Sequence, residues 1–428
     1  MRAGSPRRPI ATFILLVVAA SCVLNANTAL GQGKNSEVPK IRTITAFVRV
    51  DREHFRSQVT EAVTMLNHAR EMFIARGYEV QTIRISTQPF GEYIRSVDAQ
   101  DAIAFFREYD ALAIADGFSS SIGPALIRED DNPSEIKLLG DILRATKNLN
   151  GSVVVAGEDG VHWKAVSAAA QLMKFLAANT ERSRGNFRFS AIALVPPLTP
   201  FYPGSYHSGQ GHQFAIGLQS ANVVESSFRG ARDRESASRN LREALGLQAA
   251  TIEALARNVG RETGWTYVGM DVSPAPLGEV SIGEAIESLA KTAVGTSGTL
   301  TAASLITQAL KAIPVQQAGY SGLMLPVLED ERLAQRWGQG TLSLDALLSY
   351  SAVCGTGLDV VPLPGEVTEA DLTRIIGDVA SLAVKWHKPL SARLLPVAGK
   401  KAGDHTDFAD PLLVDTVIRP LVSADAQH

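Results

Sequence analysis

The sequence predicts an α/β protein built as a single large domain. Strand-like and helix-like segments alternate from about residue 40 onward. Short continuous apolar runs read as strands buried on both faces, and neither a low-complexity linker nor a composition shift divides the chain. Of 428 residues, 45% are hydrophobic and 20% charged, which supplies a sizeable core and excludes disorder of the whole chain. The net charge is −3 and no basic stripe with interleaved aromatics occurs, which argues against nucleic acid as a partner.

Residues 1–31 stand apart. Arg2, Arg7 and Arg8 give a positive start, "IATFILLVVAASCVL" an apolar run, and "ALG" before Gln32 a small-residue cleavage site. The apolar run is shorter than the roughly 20 residues that span a bilayer. This predicts a signal peptide over 1–31, a short linker over 32–39 and the domain over 40–428, with an uncleaved N-terminal anchor as the alternative. The mature protein is expected in the periplasm or secreted, with no stable membrane insertion after cleavage.

Within the domain, "IRTITAFVRV" (41–50) reads as a strand and 55–75 as a helix with Val59, Val63, Leu66 and Phe73 on one face. "GYEVQTIRIS" follows as a strand, and "YDALAIADGF" and "GSVVVAG" as buried strands. The helix between those two opens at Asn132-Pro133 and stops near Gly151. A helix over about 162–179 and the strand "FRFSAIALV" come next. "PPLTPFYPGSYHSGQGH" is a loop too long for a simple connection, which points to function. Residues 213–260 read as largely helical and "TYVGMDVSPAP" as a strand. Ser281/Glu284 and Thr368/Asp371 are capping boxes that open helices. "EDERLAQRW" (329–337) reads as the acidic first turn of a helix rather than a catalytic carboxylate pair.

The cysteines are Cys22 and Cys354. The first leaves with the signal peptide, so no intramolecular disulfide can form. No CxxC or HExxH spacing is present, against a structural zinc. GxGxxG after a first strand and GxxxxGK[ST] are also missing, leaving nucleotide binding unsupported, and Ser321 lacks a GxSxG setting.

At "GYEVQTIRIST", "GMDVSPAP", "SIGEAIE", "GYSGLMLPVLED", "YSAVCGTGLDVVPLPGE" and "GKKAGD" the chain resembles the family called domain of unknown function seven-hundred-eleven, from about residue 40 to 415. That resemblance implies a ten-stranded αβ barrel like that of pyruvate formate-lyase, with a loop entering the barrel, and a homodimer. In the radical enzymes of that fold the loop carries the reacting cysteine. The family supplies no activity to carry over. The C-terminal segment "DPLLVDTVIRPLVSADAQH" contains no glycine, which argues against glycyl radical catalysis.

Cys354, followed by Gly355 and Gly357, is the candidate nucleophile or proton-transfer group, because the glycines allow close approach of backbone to ligand. The alternative is an inert core cysteine. His207, in the long loop, is the candidate base, with a lid or surface histidine as the alternative; His212 is the less favoured of the two. Asp271, with Ser273 beside it, lies just past a strand and would bind substrate or metal, or cap turn N–H groups. Asp359 poses the same choice. A divalent metal ion, if bound, would draw Asp271, Asp359 and Asp404 together, because hard cations take carboxylate oxygens. Lys400 and Asp404 would clamp an anionic group or pair on the surface. The resulting expectation is a small-molecule enzyme, lyase or hydrolase, using a pocket near Cys354. A non-catalytic periplasmic binding protein for a small ligand is the alternative, and a scaffold subunit the third reading.

Overall fold

The computed structural model describes Met1 and residues 38–421, and the part from Val38 onward falls within one compact unit. The signal peptide and most of the linker lie outside the described residues. No helix among the described residues is long and apolar enough to cross a membrane.

Ten strands form one mixed sheet: β1 (Lys40–Val48), β2 (Ile83–Thr87), β3 (Ser119–Pro124), β4 (Leu149–Gly157), β5 (Gly160–Val161), β6 (Phe189–Ala193), β7 (Gln213–Gln219), β8 (Thr266–Asp271), β9 (Gly357–Pro364) and β10 (Leu390–Val397). Their order is β8-β7-β1-β2-β3-β4-β6-β10-β9, with β5 a short spur on β4. β1, β2, β3, β4 and β6 run parallel. β7 with β8, and β10 with β9, are two further parallel pairs, each joined antiparallel to that central block.

Parallel neighbours need crossover connections, and the helices supply them. α1 (Phe55–Ala75), α2 (Ala99–Ala115), α3 (Ser134–Ala145) and α4 (Trp163–Asn179) link the central block; α5 (Ala221–Arg229) and α6 (Arg234–Thr263) precede β8. α7 (Ile282–Ala290), α8 (Thr299–Lys311), α9 (Glu331–Gly338) and α10 (Leu344–Ser351) lie between β8 and β9, and α11 (Glu369–Trp386) precedes β10.

Strand alternation decides what each face meets. Ile44 and Ala46 of β1, Ile83 and Ile85 of β2, Val153 and Val155 of β4, and Ala392 and Leu394 of β10 join the helices in the main apolar core. The intervening positions carry Thr43, Thr45, Arg84, Ser86, Ser121, Asn150, Ser190, Ser391 and Arg393. One face is therefore hydrocarbon under helices; the other, termed the inner face, carries these polar side chains beside smaller apolar clusters.

Several sequence expectations change. "YDALAIADGF" is the second half of α2, where Tyr109 and Ala113 face the core, and the strand is the following "SSSIGP". Its serines pair inward, so hydrophobicity alone could not reveal it. α3 ends at Ala145, and Gly151 sits inside β4. β7 occupies 213–219, ahead of the helices expected there. Both caps form: Ser281 accepts the Glu284 N–H, and Thr368 with Asp371 makes a reciprocal box.

β8 and β9 are the sheet's two edges, and the segment 316–327 touches both. Gln317 bridges Met270 and Pro326 bridges Asp359, each in the parallel sense. Met270 N–H donates to Gln316 O at 2.8 Å and Val327 N–H to Asp359 O at 3.0 Å.

Candidate functional site

The loop 196–212 between β6 and β7 lies against the inner face. Thr45 Oγ donates to Pro200 O at 2.9 Å, Tyr202 OH to Ile85 O at 2.6 Å, and Ser121 Oγ to Ser205 O at 2.7 Å. Phe201 joins Val154, Ile192, Val195, Ala275, Tyr320 and Met324 in a small apolar cluster on this side. Close approach needs a missing side chain at Gly217, where a Cβ would lie 2.9 Å from the Phe201 ring.

Beside the loop is a cavity of about 260 Å³. Phe201 to Gly204 form one wall, and Arg42 (β1), Arg84 (β2), Asn150 (β4), Ser190 (β6), Asp359 (β9) and Arg393 (β10) another. Two cations and two carboxylates form a chain there. Glu329, itself 7% exposed, receives Arg42 Nη2 at 3.3 Å on one oxygen and Arg393 Nη2 at 2.7 Å on the other. Arg393 Nε then reaches Asp359 Oδ1 at 2.7 Å. Burial pushes the Asp359 carboxyl upward despite the adjacent guanidinium. Among the described residues no donor reaches Asp359 Oδ2.

Arg84 differs from the others. It makes no hydrogen bond or ion pair among the described residues, and its Nε is hidden from solvent. Its guanidinium lies 4.7 Å from the centre of the Tyr202 ring. Burial, reinforced by Arg42, pulls it down to about 10. Further out, Arg184 pairs with Asp410 at 3.2 Å, and Arg188 spends two donors on Leu149 O and Leu143 O.

Of the residues expected from sequence, Asp359 alone lines this cavity. Cys354 is 1% exposed and belongs to the helix-side apolar core, although Thr356, two residues on, faces the cavity. The loop on the inner face is 196–212 and contains no cysteine. Gly355 and Gly357 serve backbone packing: a Cβ on the first would lie 2.6 Å from Gly322, and on the second 2.5 Å from Ser391 O.

Asp271 is fully buried and accepts backbone N–H groups from Ser273, Tyr320 and Ser321 at 2.8–3.0 Å. That is the turn-capping arrangement. Desolvation still raises its carboxyl. Ser273 Oγ accepts the Gly322 N–H at 3.0 Å, so both residues anchor the 316–327 segment.

His207 is fully buried, and burial lowers its imidazole. Gln213 lies alongside, but Nδ1, Nε2 and Gln213 Oε1 all fall short of hydrogen-bond geometry. His212 instead sits at the surface, 3.1 Å from Glu61. Lys400 pairs with Asp407 at 3.5 Å, while Asp404 accepts the Lys401 N–H. Among the described residues no three His, Cys, Asp or Glu side chains converge as a metal site. Asp271, Asp359 and Asp404 each have a different partner.

Sequence reasoning missed Arg42, Arg84, Arg393 and Glu329. A usable signal was present: one arginine near the head of each of three otherwise apolar or small-residue strands, in "IRTITAF", "TIRIS" and "SARLLPV". An arginine is almost never buried unless it has work or a partner.

Fold and cavity together define an α/β protein with a single mixed sheet and a charged pocket on its inner face. The chain belongs to the family described as Uncharacterised ACR (DUF711), whose model matches residues 35–410. A UPF0210 protein of Pyrobaculum arsenaticum is 30% identical over 386 residues, covering 82% of this chain and 84% of the relative. A UPF0210 protein of Desulforudis audaxviator is 30% identical over 359 residues, covering 78% of each. Among solved structures, the anaerobic ribonucleotide reductase from Thermotoga maritima in complex with dATP and CTP aligns with a TM-score of 0.41 and 9% identity. That alignment covers 88% of this chain and 81% of the reductase chain. A superposition that loose assigns no fold.

Proposed function

We propose that this protein binds a small polar molecule in the inner-face cavity, with the sheet wrapped into a barrel whose β8–β9 seam is filled by 316–327. The supporting observation is the buried chain Arg42–Glu329–Arg393–Asp359. A buried ionic chain is a poor stability device, since well-packed hydrocarbon of equal volume does as well or better. Its place against a polar cavity is accounted for by a ligand. Isothermal titration against a metabolite panel tests the reading: wild type should bind a member that Glu329→Gln does not. Binding unaffected by Glu329→Gln would sink it.

A second reading, a lyase or hydrolase on the same cavity, has one observation in its favour. Asp359 commits one carboxylate oxygen to Arg393 and leaves the other unengaged, with its proton affinity raised by burial. Those are the attributes of a general acid–base group. Under this reading Asp359 replaces Cys354 and His207 as the working group. Asp359→Asn that keeps ligand affinity but loses turnover supports catalysis. Export directed by residues 1–31 and pairing of two copies belong to the same proposal. N-terminal sequencing of purified protein and light scattering check them.

A further inference from the structure

We propose that Arg84, backed by the ring of Tyr202, is the carboxylate-binding group of this cavity, and that the ligand is a small hydroxylated carboxylic acid. This deepens the binding reading above and rests on it.

Glu329 and Asp359 offset Arg42 and Arg393, two negative charges against two positive. Arg84 is left over, inside the same cavity, with none of its donors used. A guanidinium presents five N–H donors in a fixed planar fork. Its Nε is dry, which is costly, and the fork matches a carboxylate in bidentate fashion.

Orientation comes next. Tyr202 OH is tied to Ile85 O at 2.6 Å and approaches Ser86 Oγ at 3.3 Å, which fixes the ring. The Tyr202 ring covers one side of the Arg84 guanidinium, which otherwise lines the cavity where a ligand would sit.

Size and the other wall groups set the remainder of the ligand. At about 30 Å³ per water, the cavity holds on the order of nine waters, or a ligand of about ten non-hydrogen atoms. Asp359 Oδ2 is unengaged, and Thr356 Oγ, on the same wall, is buried without a partner. Both suit ligand hydroxyls.

The test uses the full chain and two variants, Arg84→Met and Arg84→Lys, with malate, gluconate, glycerol 3-phosphate, xylitol and putrescine as probes in titration calorimetry. Wild type should bind malate or gluconate in preference to xylitol and putrescine. Arg84→Met should weaken that binding about tenfold or more, and Arg84→Lys should restore it only in part. Without ligand, Arg84→Met should melt about 1 °C or more above wild type, because a half-buried cation whose Nε has no partner has been removed. Preference for the phosphate or the uncharged probe, or acid binding indifferent to Arg84→Met, would overturn the carboxylate assignment while leaving the cavity as the ligand site. If no probe binds and the unliganded Arg84→Met protein melts at or below wild type, the assignment fails too. Only indifference of all binding to Glu329→Gln bears against the cavity itself.

Discussion

Glu329 Oε1 lies 2.7 Å from Arg393 Nη2, joining the residue ahead of α9 to strand β10 within the protein interior. The same carboxylate holds Arg42 of β1, so one side chain ties three distant parts of the chain together. Removing it leaves buried Arg42 without its carboxylate and Arg393 with Asp359 alone. Glu329→Ala should therefore destabilise the fold by about 3–5 kcal/mol. In urea unfolding, Arg42→Met combined with Glu329→Leu should lose less than the sum of the single changes, the sign of a shared interaction.

Asp330, next in sequence, is fully buried and caps two helices at once. It accepts from Leu333 N–H of α9, and from Ser281 Oγ and the Ile282 and Gly283 N–H groups at the start of α7. Desolvation outweighs those bonds and raises its carboxyl to about 6. Folded pKa above unfolded means that the folded state holds the proton more tightly. This contribution is complete below about pH 4 and is lost as pH rises to about 6. Asp330→Asn should remove that slope from a plot of melting temperature against pH. A slope identical to wild type would count against the assignment.

Cys354 lies in the apolar core at 1% exposure, with the Lys388 ammonium on its backbone carbonyl. Its thiol should resist alkylation in the folded protein and react fully in denaturant, as read by mass spectrometry of the peptide that carries it. Rapid labelling of native protein would restore the thiol as a reactive centre.

Gly355→Ala places a methyl carbon 2.6 Å from the Gly322 carbonyl carbon, backbone against backbone. Neither side can yield as a flexible side chain would. The variant should lose about 1–3 kcal/mol or more, measured by thermal melting, whereas Gly230→Ala, with nothing within 4 Å, should show little change.

Much of the fold was legible because it is written in periodicity and end signals. α1, α4, β8 and the caps at Ser281 and Thr368 follow from local chemistry that tertiary contacts reinforce. β3 was not, since its serines satisfy themselves on the loop and on Tyr109 across the fold. The site was hidden for a related reason. Asp271 and Cys354 carry side chains that invite chemistry, yet the fold spends the first on backbone N–H groups and the second on packing. Arg84 and Glu329 look like ordinary surface charges until the strands are assembled. Only three-dimensional register brings Arg42, Arg84 and Arg393 into one pocket.

The segment 316–327, which bridges both edge strands, carries a consequence for how the molecule fails. Strand margins with unpaired N–H and C=O groups recruit other chains. Here two such margins are masked by a stretch held through isolated bridges and the grip of Asp271 on Tyr320 and Ser321. Loosening that stretch, for instance by Asp271→Ala, would bare both margins in one step. Damage at this point should show itself as self-association between molecules before it shows as loss of helix.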